Sequence, residues 1–415
     1  MKTLSYALAY LLVLACGGAL AGCKGENIDS RANIGTARDA ITDVAHTPVE
    51  RQSIGNCWLY AQATWVESLH LAATGQELDV SQSYWTYWHW FDQITSSMWS
   101  DEISTGGNQW KSHAIVRDRG LMQEADFVEE DGESEMSERQ ASALETLNDE
   151  LANGRLKESE AREDGKLVRQ VMDEAWQLSD DVRSDLDTAF GEDGQGSLRY
   201  GATVTGTKII DPKTVKAKYT KKTTSGVTTR NVNLVTAIQE WRNASYPSTS
   251  ADRRNFLIRV QRALHDRQPV VITWNVDFNA MESDIEELKG SFNMTTLENS
   301  GGPGHQGGHM TVLEDYEAET QEFGLLKAGE TLSPQTDANK LAALLKTSTK
   351  IKFLRIKNSW GSDRPDRAHA PGFPGYHDLY MDYLNGPIRW CPDAEGGSCT
   401  GETVPFSDVL LPPGY

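Results

Sequence analysis

Gly55-Asn56-Cys57-Trp58-Leu59-Tyr60-Ala61 sets two turn-forming residues directly ahead of an apolar helical period. Trp58, Ala61, Trp65, Leu69 and Ala72 recur at helical spacing and predict a helix starting near Cys57. A lone cysteine is most often an inert buried residue. Cys57 differs by its position, because a thiol at a helix N-terminus meets the positive end of the dipole, which lowers its pKa and favours the thiolate. A thiolate nucleophile then needs a base, and a third group to orient that base.

The candidate base is His309, in Gly307-Gly308-His309-Met310-Thr311-Val312-Leu313, where two glycines allow close approach of another chain and the apolar run reads as a buried strand. His305 lies four residues earlier in a glycine-rich stretch that is no helix, so it is read as a loop residue and not as half of a metal pair. The third element is Lys357-Asn358-Ser359-Trp360-Gly361, directly after an apolar strand. Asn358 can hydrogen-bond an imidazole, and Trp360 can cover that bond from water. Cys-His-Asn is a known variant of the nucleophile, base and orienter arrangement. Spacing alone does not show that the three residues meet.

Several segments in order resemble a papain-like cysteine peptidase, most closely the bleomycin hydrolase and aminopeptidase C branch. Asn358-Ser359-Trp360-Gly361 matches the family's Asn-Ser-Trp-Gly motif, and the Cys57 segment is similar to that branch's Gly-Arg-Cys-Trp-Leu-Phe-Ala. Leu78-Asp79-Val80-Ser81-Gln82-Ser83-Tyr84 resembles its Leu-Ser-Gln-Ser-Tyr segment. Gly106-Gly107-Asn108-Gln109-Trp110, followed by Gly120-Leu121-Met122, resembles the glycine-glycine substrate wall and the helix behind it. Gln268-Pro269-Val270-Val271 matches the strand that precedes the histidine. The resemblance implies thiol-dependent peptide-bond hydrolysis, with Cys57, His309 and Asn358 catalytic and with Gly106, Gly107 and Trp360 lining the substrate site. It implies no cofactor and no metal.

Two departures matter. Asn56 stands where the papain signature has Ser or Ala, and Ile54 where it has a further cysteine. The family's oxyanion-hole glutamine lies six residues before the nucleophile; here Arg51 occupies that position and Gln52 lies five before Cys57. Gln52 is assigned the role with a loop one residue shorter, since a neutral amide donor suits it. The distance from His309 to Asn358 implies an insertion near Lys340 to Leu345.

The wider chain fits an exported enzyme better than a nucleic-acid binder. Its net charge is −20, which disfavours binding to a phosphate backbone. Most of that charge sits between Glu124 and Asp193, with 23 acidic against 7 basic residues. Ala141, Leu144, Leu147 and Leu151 keep a helical period there, as do Leu167, Val168, Val171, Met172, Ala175 and Trp176, so a helical insertion with a solvated acidic face is expected. Lys208 to Arg230 compensates with basic residues, turns and possible strands. Helices are read over Asn231 to Trp241 and Ala251 to His265, and strands at Val270 to Trp274, Met310 to Leu313 and Ile351 to Ile356. Seven of the twelve tryptophans fall between Trp58 and Trp110 and predict one packed core layer.

Helices first and strands later make an α+β chain. The resemblance refines this to a two-lobed papain-like fold with a helical left lobe at 49–130, an acidic helical insertion and basic linker at 131–230, and an antiparallel, β-barrel-like right lobe at 231–390. A disulfide loop and C-terminal tail are expected at 391–415. In the bleomycin hydrolase branch such a tail lies in the cleft and restricts cleavage to peptide ends, and the overhang Thr400 to Tyr415 implies a related restriction.

At the N-terminus, Lys2, an apolar run from Tyr6 to Ala15 and Leu20-Ala21-Gly22-Cys23 describe an export signal over 1–22 that resembles a bacterial lipoprotein lipobox. Cys16 is then discarded, Cys23 carries acyl chains that anchor the protein in a lipid membrane, and 23–48 is a polar tether. Lys24 points to the outer rather than the inner membrane of the cell envelope. The stretch between Cys23 and Cys57 leaves no room for the usual inhibitory propeptide. Cys391 and Cys399 bracket a turn-rich loop and are expected to pair in an oxidising space. The partners are thus a peptide or protein substrate and a membrane, with no nucleic acid; oligomeric state is unspecified. A catalytically silent lipoprotein that holds peptides in the same cleft is the alternative reading.

Overall fold

The apolar period after Asn56 forms α1 (Cys57–Thr74), closed by Gly75 in the left-handed region at φ 71°, whose N–H bonds Leu71 O. Every residue from Cys57 to Leu69 is buried, so this helix is covered on all sides and not along one stripe. The computed structural model describes residues 44–96, 102–364, 366–391 and 399–415. The export signal, Cys16, Cys23 and the tether as far as residue 43 lie outside them. No helix among the described residues is long and apolar enough to cross a membrane.

After α1 come α2 (Gln82–Thr95), α3 (Gln109–Arg119), α4 (Glu124–Phe127), α5 (Glu138–Ala152), α6 (Ser159–Glu163), α7 (Gly165–Ala175) and α8 (Asp180–Phe190). Ser81 and Asn108 cap α2 and α3 through their side chains, which accept from Tyr84 N and Lys111 N. The basic stretch forms an antiparallel hairpin, β1 (Lys216–Thr223) and β2 (Gly226–Asn233), that leads to α9 (Leu234–Glu240), β3 (Arg242–Ser245) and α10 (Ser250–His265). The rest is β4 (Val270–Asp277), β5 (Ser291–Phe292), α11 (Met294–Asn299), β6 (Gln306–Thr320), β7 (Gly324–Leu326), α12 (Ala338–Leu344), β8 (Lys350–Lys357), β9 (Tyr376–Tyr380), α13 (Met381–Asn385), β10 (Ile388–Trp390), β11 (Gly401–Thr403) and β12 (Phe406–Leu411). The composition is mixed α+β, about 40% helix and 23% strand. α12 occupies the position of the expected insertion.

Eight strands form one sheet in the order β3-β12-β4-β6-β8-β9-β5, with β7 on β6, and only β5 and β9 run parallel. In this order the sheet has two ends, β3 and β5. Its faces follow the two-residue alternation of strands. Val271, Met310, Val312 and Leu410 face the core of α1, whereas Val270, Ile272, Trp274, Leu313 and Val409 face the core that α10 covers with Phe256, Val260 and Leu264.

The acidic stretch packs into the core of α1 and α2. Leu147, Leu151, Val168, Met172 and Trp176 share one core with Trp58, Trp65 and Trp88. Arg169 is buried in that junction, donating to Tyr87 Oη at 2.8 Å and to Asp187 at 3.0 Å, while Tyr87 Oη donates to Asp173 at 2.6 Å. Of the seven clustered tryptophans, Trp58, Trp65, Trp85, Trp88 and Trp90 are buried, but Trp110 is 70% exposed. Trp99 lies outside the described residues.

The C-terminal stretch is part of the sheet and does not lie in a cleft. β12 sits between β3 and β4, because Phe406, Val409, Leu410 and Leu411 bury as strand residues. Tyr415 then docks on α10, accepting from Arg259 through its backbone O at 2.7 Å and donating to Asp266 at 2.5 Å. A disulfide joins Cys391 to Cys399, and 392–398 lie outside the described residues.

Candidate active site

Cys57 opens α1 and is the free cysteine among the described residues. Its thiol is buried, with the backbone N–H groups of Met310, Trp58 and Cys57 itself near enough to lower its pKa. Met310 follows His309 on β6. Pairing of β8 with β6 stops at Val312 opposite Lys357, which leaves the stretch of β6 around His309 and Met310 open to the start of α1. The fold thus sets the thiol one residue from the histidine.

His309 Nε2 lies 2.7 Å from Asn358 Oδ1. The direction of this bond follows from the other contacts of Asn358. Ser359 N–H donates to the same Oδ1 at 2.8 Å, and Asn358 Nδ2 donates to His377 Nδ1 at 3.3 Å. Oδ1 is therefore the acceptor, so Nε2 of His309 carries the proton and its Nδ1 is left as an acceptor. Trp360 stacks on the His309 ring, with centroids 4.9 Å apart and an interplanar angle of 24°, and shields this bond from water. Trp274 meets the ring edge-on at 5.6 Å. His305 sits apart, stacked on Phe278 in a loop.

The electrostatics reverse one expectation. Burial pushes the Cys57 thiol up to about 11, and the three N–H groups pull it back only in part. Burial likewise pushes His309 down to about 4 against the bond to Asn358. The helix dipole does not dominate because desolvation penalises a lone charge more than one turn of peptide dipoles favours it. A proton passing from thiol to imidazole creates two opposite charges at once, so the two groups change state as a pair.

Gln52 is held next to this set. Its N–H donates to Ser359 O at 2.9 Å, Ser359 Oγ donates to its Oε1 at 2.7 Å, and its Nε2 donates to Ile54 O at 2.7 Å. One amide hydrogen remains for a further acceptor. Arg51 is placed differently: its N–H joins Glu135 O, and its side chain packs against Gly361.

The glycine pair lies beside Trp58, the residue after Cys57. Trp58 Nε1 donates to Thr105 O at 3.0 Å, and a Cβ on Gly107 would sit 2.3 Å from the Trp58 ring, which is why this position excludes a side chain. Asn56, the unusual residue, is buried and donates to Thr86 Oγ1 at 3.0 Å and to Gln140 Oε1 at 2.9 Å. Gln140 belongs to α5, so the acidic stretch supplies a partner to the residue preceding the thiol. Sequence reading missed His377 and Gln140, since a single polar residue in an apolar strand or an acidic helix carries no local signal of what it meets.

No family model matches the chain, and no curated protein matches it. Among solved structures, a Carica candamarcensis cysteine protease in complex with E-64 aligns over 89% of this chain and 93% of that one, at 13% identity and a TM-score of 0.31.

Proposed function

We propose that this protein is a cysteine peptidase that hydrolyses peptide bonds through Cys57, His309 and Asn358. The supporting observation is the fixed tautomer of His309: Nε2 engaged by Asn358 leaves Nδ1 to take the Cys57 proton. Cys57 Sγ attacks the scissile carbonyl carbon while its proton passes to His309. Gln52 Nε2 and the Cys57 N–H stabilise the oxyanion, each worth about 3–4 kcal/mol by comparison with other proteases. The carbonyl re-forms, the C–N bond breaks, and His309 returns the proton to the leaving amine. His309 then takes a proton from water as it attacks the thioester, which releases the acid and restores the thiol. Gly106 and Gly107 offer backbone groups to an extended substrate, with Trp360 forming part of the wall. Fluorogenic peptide cleavage that disappears in Cys57→Ala and His309→Ala tests this reading; turnover that persists in either variant contradicts it.

The silent, peptide-holding reading is favoured by one observation, the upward shift of the buried thiol. The two readings separate on a thiol-directed covalent inhibitor, which labels Cys57 in a His309-dependent way only in the enzyme. We further propose that Cys23 is acylated and anchors the chain in the bacterial cell envelope, on the outer membrane. Radiolabelled palmitate incorporation lost in Cys23→Ala checks that proposal.

A further inference from the structure

Outside the thiol site, three carboxylates from separate segments converge. Glu50, Asp79 and Glu124 each offer an oxygen, and these atoms all lie within 4.8 Å of one another. Two oxygens on a common calcium ion at 2.3–2.6 Å are at most about 5 Å apart, so the spacing is that of ligands to one ion. A second observation points the same way. Gln82 is fully buried, and its amide ends on the cluster, with Nε2 donating to Glu50 Oε2 at 2.6 Å. Its carbonyl oxygen, on the same amide carbon, has no hydrogen-bond partner. This buried oxygen, on the amide that reaches Glu50, lacks what a cation supplies, since an unpartnered buried acceptor carries a desolvation cost.

We propose that Glu50, Asp79, Glu124 and the Gln82 carbonyl form a calcium site. The donor set is all oxygen, with no imidazole or thiolate, which selects a hard cation over zinc or copper. The ligands come from three loosely related segments and not from one rigid turn, which suits the variable geometry of calcium better than the strict octahedron of magnesium. Glu50 and Asp79 are only half-buried, which leaves an entry path and room for water ligands. The backbone already gathers the segments: Glu124 N–H donates to Asp79 O at 3.1 Å, and Gly361 N–H donates to Glu50 O at 3.1 Å. The ion ties the segment that leads into Gln52 to the start of α2 and to α4. This site stands independently of the peptidase reading.

The test is calorimetric titration of calcium chloride into the EDTA-treated full chain at pH 7, with the melting temperature followed in parallel. The expected result is one saturable site per chain. At a hundredfold excess over Kd, Tm should rise by about 3–6 °C, and magnesium should raise it less. Both effects should be lost in Glu124→Gln. Should that buried variant fail to fold, the half-exposed Asp79→Asn carries the comparison. Absence of saturable binding, binding unchanged in the variant, or equal stabilisation by magnesium overturns the proposal.

Discussion

His309 Nε2 donates to Asn358 Oδ1 across 2.7 Å although 49 positions separate them, because β6 and β8 pair with Val312 opposite Lys357. The bond is oriented from the far side by His377, whose Nδ1 accepts from Asn358. His377→Ala removes that acceptor and leaves Asn358 free to rotate. The expected outcome is a fall in kcat of about 10-fold with little change in KM, against about 100-fold for Asn358→Ala. His377→Gln, which keeps an acceptor, should recover part of the loss. Equal kcat in the wild type and His377→Ala contradicts the positioning role.

Gln52 is aimed by Ser359 rather than held by shape alone. Gln52→Ala should lower kcat by about 10²–10³ while KM stays within a factor of a few, the signature of a donor used only in the transition state. Arg51→Ala should leave kcat within a factor of a few. Steady-state kinetics of the two variants decides which residue fills the role.

Stability should peak near pH 6.5. Burial pushes His89, His113, His265 and His309 from 6.5 down to about 4 and His377 to about 3. Their contribution is complete above pH 6.5 and is lost as pH falls through those values, since the unfolded chain binds the protons first. Buried carboxyls act in the opposite sense: Asp315 is pushed up to about 8, Glu124 to about 11, and Glu67 is raised as well. They favour the fold below their unfolded values near 4 and lose that contribution as pH rises. Above pH 6.5 the histidines no longer change state and only raised carboxyls such as Asp315 and Glu124 still act, so the decline on the alkaline side is theirs. Urea midpoints measured from pH 4 to 9 should rise to about 6.5 and then decline; a flat profile contradicts this.

Arg169 tests whether the acidic helices and α1 form one unit. Arg169→Met strands the buried Asp173 and Tyr87 without their cation and should cost about 3–5 kcal/mol. Because α7 and α1 share a core, the whole chain should still melt in one transition at lower temperature. A separate early transition for residues 131–193 would show the insertion to be independent.

The sequence made the local elements legible and left their partners hidden. The helix at Cys57 and the strands at Val270, Met310 and Ile351 follow from periodicity, and they appear where it puts them. The stripe of Leu147, Leu151, Val168 and Met172 was equally plain, but a stripe does not say which core it joins. It joins that of Trp65 and Trp88. The last residues read as an overhang because Pro405 and Pro412 flank them, whereas the apolar run between them completes the sheet. Position at a helix start suggested an acidic thiol, and burial, which no local pattern reports, reversed the direction. The resemblance points to Gly107 for a substrate role; the structure adds that the Trp58 ring leaves no space for a side chain there.

The central claim is that Cys57 is a nucleophile served by His309. The most direct measurement is the rate of covalent labelling of Cys57 by a peptidyl thiol-directed inhibitor, read by mass spectrometry in the wild type, His309→Ala and Asn358→Ala. Stoichiometric labelling of Cys57 is expected in the wild type, slower labelling in Asn358→Ala and none on the same timescale in His309→Ala. Labelling at equal rates in all three, or none in the wild type, contradicts the claim.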